Sequence, residues 1–426
     1  MVDYVRIFGS WVKGSARILT RGSRVYWLWM GLLGVMFLAG GFAYWRQLDQ
    51  GLITSSLRDQ VSWGFYIGNF NFLVGVADAA VLMIVAAFIY QWKPVKEVVV
   101  YSMMLAIAAL VCCILFVLVD VGRPERLWHI IPGIGILNVP DSMLGWDVIW
   151  LNGFLLLNFV IVTYLLFNIY RNKRPNKKIY MPLVWAAIPV GIIVHAVTAF
   201  LYATLVGRPF WNAAILAPRF IVSALCSGPA VMIILFQVLQ ATTRFHIRRE
   251  AVWKVAEVMA YFMGFNLFLL GAEVVKEVWS DTEHLIHMKY MFVGVDGHDT
   301  LVPWMWLAVS CSTAAFLLFL VPAWRKNRVL LNLGCVLIFI GVLLEKSVGM
   351  VIPGMTPDPL GEIYEYAPSW NEIMVAIGIM ALGAMAFTAM IKVSTAIMLG
   401  DFRHPGSTPE PDTSAADAGT PAASGS

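Results

Sequence analysis

Long apolar stretches recur along the chain, separated by short polar segments or by segments rich in glycine, proline and aromatic residues. An α-helix needs about 20 apolar residues to cross the hydrocarbon core of a bilayer. Ten stretches approach or exceed that length, and the ninth is the shortest. They cover residues 25–45, 65–90, 98–119, 146–170, 181–202, 220–239, 255–278, 303–321, 329–344 and 373–399. The pattern predicts an all-α polytopic membrane protein with about ten transmembrane helices.

The composition supports lipid as the main solvent of this fold. Of the 426 residues, 60% are apolar and only 13% are charged, whereas soluble domains carry about 25% charged residues. A soluble fold of this size could not bury so much apolar surface. The expected surroundings are therefore membrane lipid, and no nucleic-acid partner is expected.

The basic residues are distributed unevenly between the two sides of the predicted topology. One side receives 19 of the 30 Lys and Arg residues, and the other side receives six. The side rich in basic residues is normally cytoplasmic, so we predict a bacterial inner-membrane protein with both termini in the cytoplasm. The tail is rich in Pro, Ala, Ser and Thr, which is typical of disorder. We predict a cytoplasmic segment over 1–24, a transmembrane domain over 25–400 and a disordered cytoplasmic tail over 401–426.

Polar side chains inside the predicted spans gather near the outer side, where the longer loops also lie. A charged group at membrane depth usually marks a pathway or a binding site. The side chains singled out in this layer are Trp63, Tyr66, Asp120, Arg123, His195, Arg219, Glu273 and Lys276, with Asp78 reaching deeper. A quinone headgroup needs hydrogen bonds to two oxygens and groups that exchange two protons, which such residues supply. Trp63 also suits the aromatic belt at a membrane boundary.

Several of these residues have plainer interpretations as well. His195 alone could be a satisfied core histidine. Glu273 and Lys276 lie three residues apart on one predicted helix, which suits a structural ion pair. Asp120 and Arg123 could cap a helix end and fix the following loop. These alternatives stay open at the level of the sequence.

The distribution of histidine and cysteine argues against a metal centre in this chain. A b-type haem in a membrane usually needs two histidines from facing helices, and His195 is the only histidine well inside a predicted span. The five cysteines show no Cys-x-x-Cys spacing, which zinc and iron–sulfur sites commonly use. The 21 methionines leave thioether ligation as an alternative. We predict no haem and no iron–sulfur cluster, so electrons from a quinol would have to leave to a partner.

Short motifs in a fixed order give the chain a family resemblance. The matching segments are 63–67 (WGFYI), 75–80 (GVADAA), 120–124 (DVGRP), 195–200 (HAVTAF), 207–211 (GRPFW), 217–220 (APRF), 227–230 (SGPA), 352–354 (IPG) and 361–366 (GEIYEY). The chain thereby resembles the NrfD-like family, the membrane subunits of polysulfide-reductase-type complexes, over about residues 25–400. Within the family it looks most like the membrane subunit of the dissimilatory-sulfite-reductase-linked complex, followed by the hydrogenase-2 membrane subunit.

This resemblance implies two four-helix bundles, here the predicted spans two to five and six to nine, with one flanking helix at each end. It also implies a menaquinol or ubiquinol site near the outer face and electron transfer to a periplasmic 4Fe-4S ferredoxin-like subunit. Further subunits of such a respiratory complex could include cytochromes b and c. Sulfur-compound metabolism is the expected setting.

The resemblance also implies site residues, motif by motif, namely Tyr66, Asp78, Asp120, Arg123, His195 and Arg219. Glu273 and Lys276 rest on their predicted depth instead. The residues expected to exchange protons are His195, Asp78, Tyr66 and Glu273. The residues expected to bind the quinone are Trp63, Tyr66, Asp120, Arg123, His195, Arg219 and Lys276.

Two other functions suit the same residues. Buried Asp, His, Glu and Lys side chains also line the proton pathways of transporters, whose sites typically lie near the bilayer midplane at interrupted helices. The chain could also be a passive anchor for periplasmic redox partners. The outward position of most polar groups favours the quinol-handling subunit.

Overall fold

The computed structural model describes residues 2–96, 98–131, 133–244, 247–282 and 285–405. Most of the predicted tail, at 406–426, lies outside the described residues. Within the described part, helices are joined by turns and loops, and an isolated β-bridge joins Val295 and His298.

Ten helices among the described residues are long and apolar enough to cross a membrane. We number them spans 1 to 10 in chain order. Their bounds are Arg24–Gln50, Phe65–Ile89, Val99–Asp120, Met143–Tyr170, Lys177–Ala203, Leu216–Thr242, Arg249–Ser280, Val302–Leu320, Arg328–Met355 and Trp370–Met398. The prediction of an all-α polytopic membrane protein with ten spans is therefore confirmed.

Shorter helices join or flank the spans. They are Val2–Leu19, Leu52–Thr54, Lys93–Lys96, Pro124–Ile130, Leu285–Phe292 and Pro322–Lys326. Consecutive spans alternate in direction, so every second connection lies at the same end of the bundle. We call one end the loop-rich face, which carries the connections 51–64, 121–142, 204–215, 281–301 and 356–369. The opposite end, which carries Val2–Leu19 and most of the Lys and Arg residues, is the basic face.

Spans 2–5 pack together as one four-helix bundle, and spans 6–9 pack together as a second. The two bundles meet where span 2 lies against spans 6 and 9. Spans 1 and 10 pack against each other, and span 10 also packs against span 3. A Cβ built on Gly40 would lie 2.5 Å from the Cα of Gly378, so these two backbones touch. Small residues permit such close approach between membrane helices.

Span 2 is interrupted near its middle. α-Helical segments cover Phe65–Ala77 and Ala79–Ile84, and Val85–Ile89 forms a π-helical turn. Asp78 separates the first two segments, and its N–H donates to the carbonyl of Gly75 at 3.2 Å. The sequence predicted one continuous helix over this region, because an apolar run does not report a local change in backbone hydrogen bonding.

Span 9 continues to Met355, well beyond its predicted end at Leu344. The charged residues Glu345 and Lys346 ended the apolar run in the sequence. In the structure both side chains are buried and hydrogen-bonded to span 6. The helix therefore continues through them, because their charge is compensated inside the bundle.

Candidate functional site

A largely apolar groove opens at the loop-rich ends of spans 2, 8 and 9, beside the loop that precedes span 10. Its volume is about 760 Å³ including its open mouth. Its walls include Phe65, Thr300, Trp304, Val348, Ile352 and Tyr366. The Trp304 side chain is about half exposed on the outer surface of the bundle, which lipid would surround. We call this cavity the rim groove.

The hydroxyl of Tyr366 is fixed at the rim groove by two hydrogen bonds. It donates to Glu372 Oε1 at 2.5 Å and accepts from the backbone N–H of Phe65 at 2.9 Å. Gly64 makes room for it, because a Cβ at that position would lie 2.5 Å from Tyr366 Oη. Burial and the neighbouring Glu372 carboxylate raise the pKa of Tyr366, so the phenol stays protonated and donates.

Glu372 lies in the first turn of span 10 and is fully buried. Its second carboxylate oxygen accepts the backbone N–H groups of Ser56 at 2.9 Å and Ser369 at 2.8 Å. The Ser369 hydroxyl accepts the N–H of Glu372 in return, which completes a capping box at the start of the span. The carboxylate thus ties two connections of the loop-rich face together.

Tyr66 and Asp120, two of the predicted site residues, lie beside this carboxylate. The Tyr66 hydroxyl donates to Gln47 Oε1 at 2.7 Å, and Gln47 Nε2 donates to the carbonyl of Val119 at 2.6 Å. Asp120 ends span 3, and both predicted residues are close enough to Glu372 to interact with it electrostatically. We call the whole group the rim cluster, which consists of Gln47, Tyr66, Asp120, Tyr366 and Glu372.

A second and much smaller cavity, of about 20 Å³, lies between spans 6, 7 and 9. Arg219 of span 6 pairs with Glu273 of span 7, and with Glu345 of span 9 at 2.8 Å. Asn266 donates to the other oxygen of Glu345 at 2.9 Å. The charges therefore compensate one another within the cavity, which we call the ion-pair cleft.

Lys346 lines the same cleft and was not among the predicted site residues. Its Nζ donates to the carbonyl of Phe220 at 3.0 Å and lies 4.4 Å from the centroid of that ring. A Cβ on Gly75 would lie 3.4 Å from the same Nζ, so the ammonium reaches span 2, where it also interacts with Asp78. The sequence signal was the apolar segment 347–355 after the lysine, which indicates burial on both sides of it.

Asp78 and His195 form a pair that we call the deep pair. His195 Nδ1 lies 3.0 Å from Asp78 Oδ2 and 3.1 Å from the carbonyl of Gly191. Both side chains are fully buried, and helical rise puts Asp78 roughly 20 Å below the loop-rich end of span 2. Span 6 fits against the break in span 2, because a Cβ on Gly228 would lie 2.8 Å from the backbone nitrogen of Ala79. Neither member of the pair lines the rim groove or the ion-pair cleft.

Trp63 is half-buried and packs into an aromatic cluster. Its ring centroid lies 5.3 Å from that of Tyr202 and 5.7 Å from that of Trp211. Trp211 donates from Nε1 to the carbonyl of Met350 at 2.8 Å. The cluster therefore joins the first bundle to span 9 just above the buried polar groups.

Arg123 and Lys276 lie apart from all of these groups. Arg123 pairs with Glu125 at 3.4 Å, and its side chain is 75% exposed. Lys276 pairs with Glu277 at 2.7 Å and is 59% exposed. Glu273 belongs to the ion-pair cleft, so the alternative ion pair between Glu273 and Lys276 is not among those formed by the described residues.

The predicted buried site residues thus fall into three groups, the rim cluster, the ion-pair cleft and the deep pair, and do not share one pocket. Sequence reasoning missed Gln47, Glu345, Lys346, Tyr366 and Glu372. Across residues 2–405, apart from the few undescribed positions, no three His, Cys, Asp or Glu side chains are arranged to hold a metal ion. The five cysteines are buried free thiols. The absence of a haem or cluster stays a prediction.

Comparison with known proteins finds one matching family model and several related reductase subunits. A family model described as "Polysulphide reductase, NrfD" matches residues 54–356, which include both four-helix bundles. The chain is 23% identical over 406 residues to a putative membrane subunit of dimethyl sulfoxide reductase from Halobacterium salinarum, with 85% of this chain and 90% of that protein covered. It is 21% identical over 411 residues to a selenate reductase subunit from Mesobacillus selenatarsenatis, with 86% and 93% covered. It is 23% identical over 392 residues to the integral membrane subunit of menaquinone reductase from Nitratidesulfovibrio vulgaris, with 85% and 90% covered.

Proposed function

The chain belongs to the polysulphide reductase NrfD family, and from that membership we propose that it is the membrane subunit through which a respiratory redox complex exchanges electrons with quinol. Its relatives carry the names of reductase subunits, and one is named as a subunit of menaquinone reductase. Menaquinol or ubiquinol is the proposed substrate. An iron–sulfur subunit docked at the loop-rich face is the proposed redox partner. This chain then has to bind the quinol and handle its protons.

The observation that carries this proposal is the rim groove. A quinol needs an apolar passage for its isoprenoid tail and a polar group for a ring hydroxyl. Trp304 and Ile352 supply apolar walls, and the Tyr366 hydroxyl supplies the polar group. Small-molecule sites usually occupy about 300–1,000 Å³, and the cavity volume of the groove without the open solvent at its mouth is about 250 Å³, close to the lower end of that range. The residues present therefore fit a quinol ring.

The predicted site residues then take different proposed roles. We assign Tyr66 and Asp120 to the support of the headgroup, because both adjoin the carboxylate behind the rim groove. Arg219 shapes the neighbouring ion-pair cleft, together with Glu273. Exposed Arg123, like Lys276, suits the docking of a partner subunit at the loop-rich face.

The placement in the cell is part of the proposal. The basic face carries most of the Lys and Arg residues, which favours a cytoplasmic position for it and for both termini. The loop-rich face would then be periplasmic in a bacterial inner membrane. The sulfite-reductase-linked resemblance of the 352–366 motifs supports a setting in sulfur-compound metabolism, with cytochromes b and c as candidates for additional subunits.

The test uses the whole complex, purified through a tag on this chain together with its partner subunits. We expect quinone in the lipid extract and reduction of the iron–sulfur partner on addition of a menaquinol or ubiquinol analogue. A photoactivated azidoquinone should label peptides that contain residues 64–66 or 366–368. A complex that holds no quinone and shows no quinol-dependent reduction would be a passive anchor, which contradicts the proposal.

Proton translocation is a second candidate function, and the break in span 2 at Asp78 favours it. Transporters place their sites at interrupted helices near the midplane, and Asp78 pairs there with His195. Asp78 Oδ1 has no hydrogen-bond partner among the described residues, so it can accept a further proton. Proteoliposomes that change their internal pH during quinol oxidation would support this function, and vesicles that hold a constant pH would contradict it.

A further inference from the structure

We propose that Tyr366 and Glu372 form the proton-accepting pair for a quinol bound in the rim groove. Tyr366 touches the quinol and is the catalytic residue, and Glu372 acts through Tyr366. The inference rests on the proposed function and deepens it by naming the groups that take the protons. Tyr366 closes the GEIYEY motif, for which sequence reasoning found no role.

The Tyr366 hydroxyl can still accept one further hydrogen bond from a donor. A tyrosine hydroxyl has one O–H and two lone pairs. The O–H points to Glu372 at 2.5 Å, and one lone pair accepts the N–H of Phe65 at 2.9 Å. Among the contacts of the described residues, the second lone pair is left, and Tyr366 lines the groove. A quinol hydroxyl is a donor that can use it.

Glu372 is held as an acceptor behind the tyrosine. One carboxylate oxygen takes the tyrosine O–H, and the other takes the N–H groups of Ser56 and Ser369. An O–H···O distance of 2.5 Å is typical of a charge-assisted hydrogen bond to a carboxylate. The carboxylate can therefore take the phenolic proton at the moment when a second proton reaches the phenol oxygen.

A second tyrosine–glutamate pair nearby shows what a purely structural contact looks like. Tyr364 donates to Glu362, and Glu362 is exposed. Neither residue lines the rim groove. The two pairs share their chemistry and differ in their access to the groove, so the surface pair is a matched control.

Other titratable groups surround the carboxylate and enter the design of the test. The groups that face it are Tyr366, Tyr66, Asp120 and, beyond Tyr66 on span 1, Tyr44. Asp120 is the one other carboxyl in this set. Its contribution to proton transfer must therefore be separated from that of Glu372.

Oxidation of the quinol releases two electrons, which pass singly to the iron–sulfur centre of the partner subunit, and two protons. The O–H bond of the ring hydroxyl that faces Tyr366 breaks as its proton moves to the tyrosine oxygen, while the tyrosine's own proton moves to Glu372. The opposite ring hydroxyl loses its proton by the same route after the ring has turned over in the groove. Glu372 releases that proton toward the loop-rich face, where Ser56 and Ser369 are half-exposed, and is again a carboxylate when the second proton arrives. The quinone leaves with two C=O bonds.

The test measures kcat and KM for quinol-dependent reduction of the partner subunit in the purified complex. Tyr366→Phe and Glu372→Gln should each lower kcat by about 100-fold, within the range of general acid–base catalysis, with bound quinone retained. Glutamine can keep the capping box at the start of span 10. Tyr364→Phe and Glu362→Gln should leave kcat unchanged. KM for quinol should change little in either main variant, and Asp120→Asn should keep a kcat well above that of Glu372→Gln.

The possible outcomes distinguish a failure of the proton relay from a failure of the proposed function. If the wild type oxidises quinol and both main variants stay within about twofold of it, the relay is wrong and the quinol site stands. If the wild type neither binds nor oxidises quinol, the proposed function itself is wrong. If Tyr366→Phe fails to assemble, Gly64→Ala replaces it, because the new Cβ displaces the hydroxyl without removing it. A wild-type kcat in that variant would also overturn the relay.

Discussion

The rim groove and the ion-pair cleft both lie toward the loop-rich face, yet they use their polar groups differently. In the cleft, Arg219 is held between Glu273 and Glu345, so each charge has its partner within the fold. In the groove, the walls are mostly apolar, and Tyr366 presents one hydroxyl that is backed by Glu372. The cleft compensates its charges within the fold, whereas the groove has room and a free acceptor for a ligand.

The difference between the two cavities follows from the parts of the fold that carry their polar groups. Charges on membrane spans must be paired at depth, because lipid offers them no water, and the cleft draws its charges from three spans. The groove takes Tyr366 from a connection at the loop-rich face. Loops held by a rigid scaffold commonly carry function for this reason.

The largest expected effect comes from removing the cation of the ion-pair cleft. Arg219→Ala leaves Glu273 and Glu345 as unpaired buried carboxylates, which costs about 3–5 kcal/mol. We expect little assembled protein and a large fall in Tm, measured by thermal unfolding in detergent. Arg123→Ala removes an exposed ion pair worth about 0–1 kcal/mol and should leave Tm nearly unchanged. An Arg219→Ala protein as stable as the wild type would show that these charges do not hold the cleft.

A smaller effect, on function alone, should follow from filling the rim groove. Val348→Phe adds a ring to its wall and fills space that a quinol ring would occupy. We expect quinol to bind about tenfold more weakly, equivalent to about 1.4 kcal/mol, with Tm little changed. The measurement is KM for quinol and the quinone content of the purified complex. Leu216→Phe, in the wall of the ion-pair cleft, is the control, and equal effects of the two changes would remove the distinction between the cavities.

We expect a change in the deep pair to affect quinol oxidation less than a change in the rim groove. Asp78→Asn keeps the shape of the side chain, and Asp78 lines neither cavity. We expect a kcat for quinol oxidation within about twofold of the wild type. If the second candidate function holds, the same variant loses the pH change in proteoliposomes. A tenfold loss of quinol oxidation would instead mean that the headgroup reaches the deep pair.

The smallest effect concerns the loops that border the rim groove. The N–H of Thr300 donates to Glu365 at 3.4 Å, and His298 lies 3.5 Å from the same carboxylate. The hydrogen bond from Thr300 lowers the pKa of Glu365 below its ordinary value of 4.5. The contact between Thr300 and Glu365 therefore contributes its full stability above pH 4.5. It is lost as the pH falls through the lower pKa that Glu365 has in the folded protein. The protection factors for hydrogen exchange at residues 298–301 should fall over that interval, and Glu365→Gln should show the lower protection already at neutral pH.

The spans were predictable because lipid imposes one requirement on each of them, a long apolar run. The rim cluster was not predictable from the sequence, because its members come together only in the folded chain. Phe65 and Tyr366 are hydrogen-bonded but lie 301 positions apart in the sequence. In the sequence alone, the charges of Glu345 and Lys346 favour the end of a span. The sequence does not show that Arg219 pairs with Glu345 and that the carbonyl of Phe220 accepts from Lys346.

The predicted residues that proved to be neighbours had a physical signal in common. Asp78 and His195 both sit inside apolar runs, where an unpaired polar group is too costly to persist, and the structure brings them within 3.0 Å of each other. Arg123 and Lys276 lacked that constraint. They lie at the ends of spans, where water can solvate them and no buried partner is required.

The touching backbones of Gly40 and Gly378 bear on how the molecule is made. A ribosome releases the N-terminal part first, so span 1 enters the bilayer long before the helix that it will contact has been synthesised. The side of span 1 that carries Gly40 must face lipid or an assembly factor until span 10 arrives. The contact between spans 1 and 10 therefore forms only after span 10 has been synthesised, and a polypeptide cut short before span 10 would never form it.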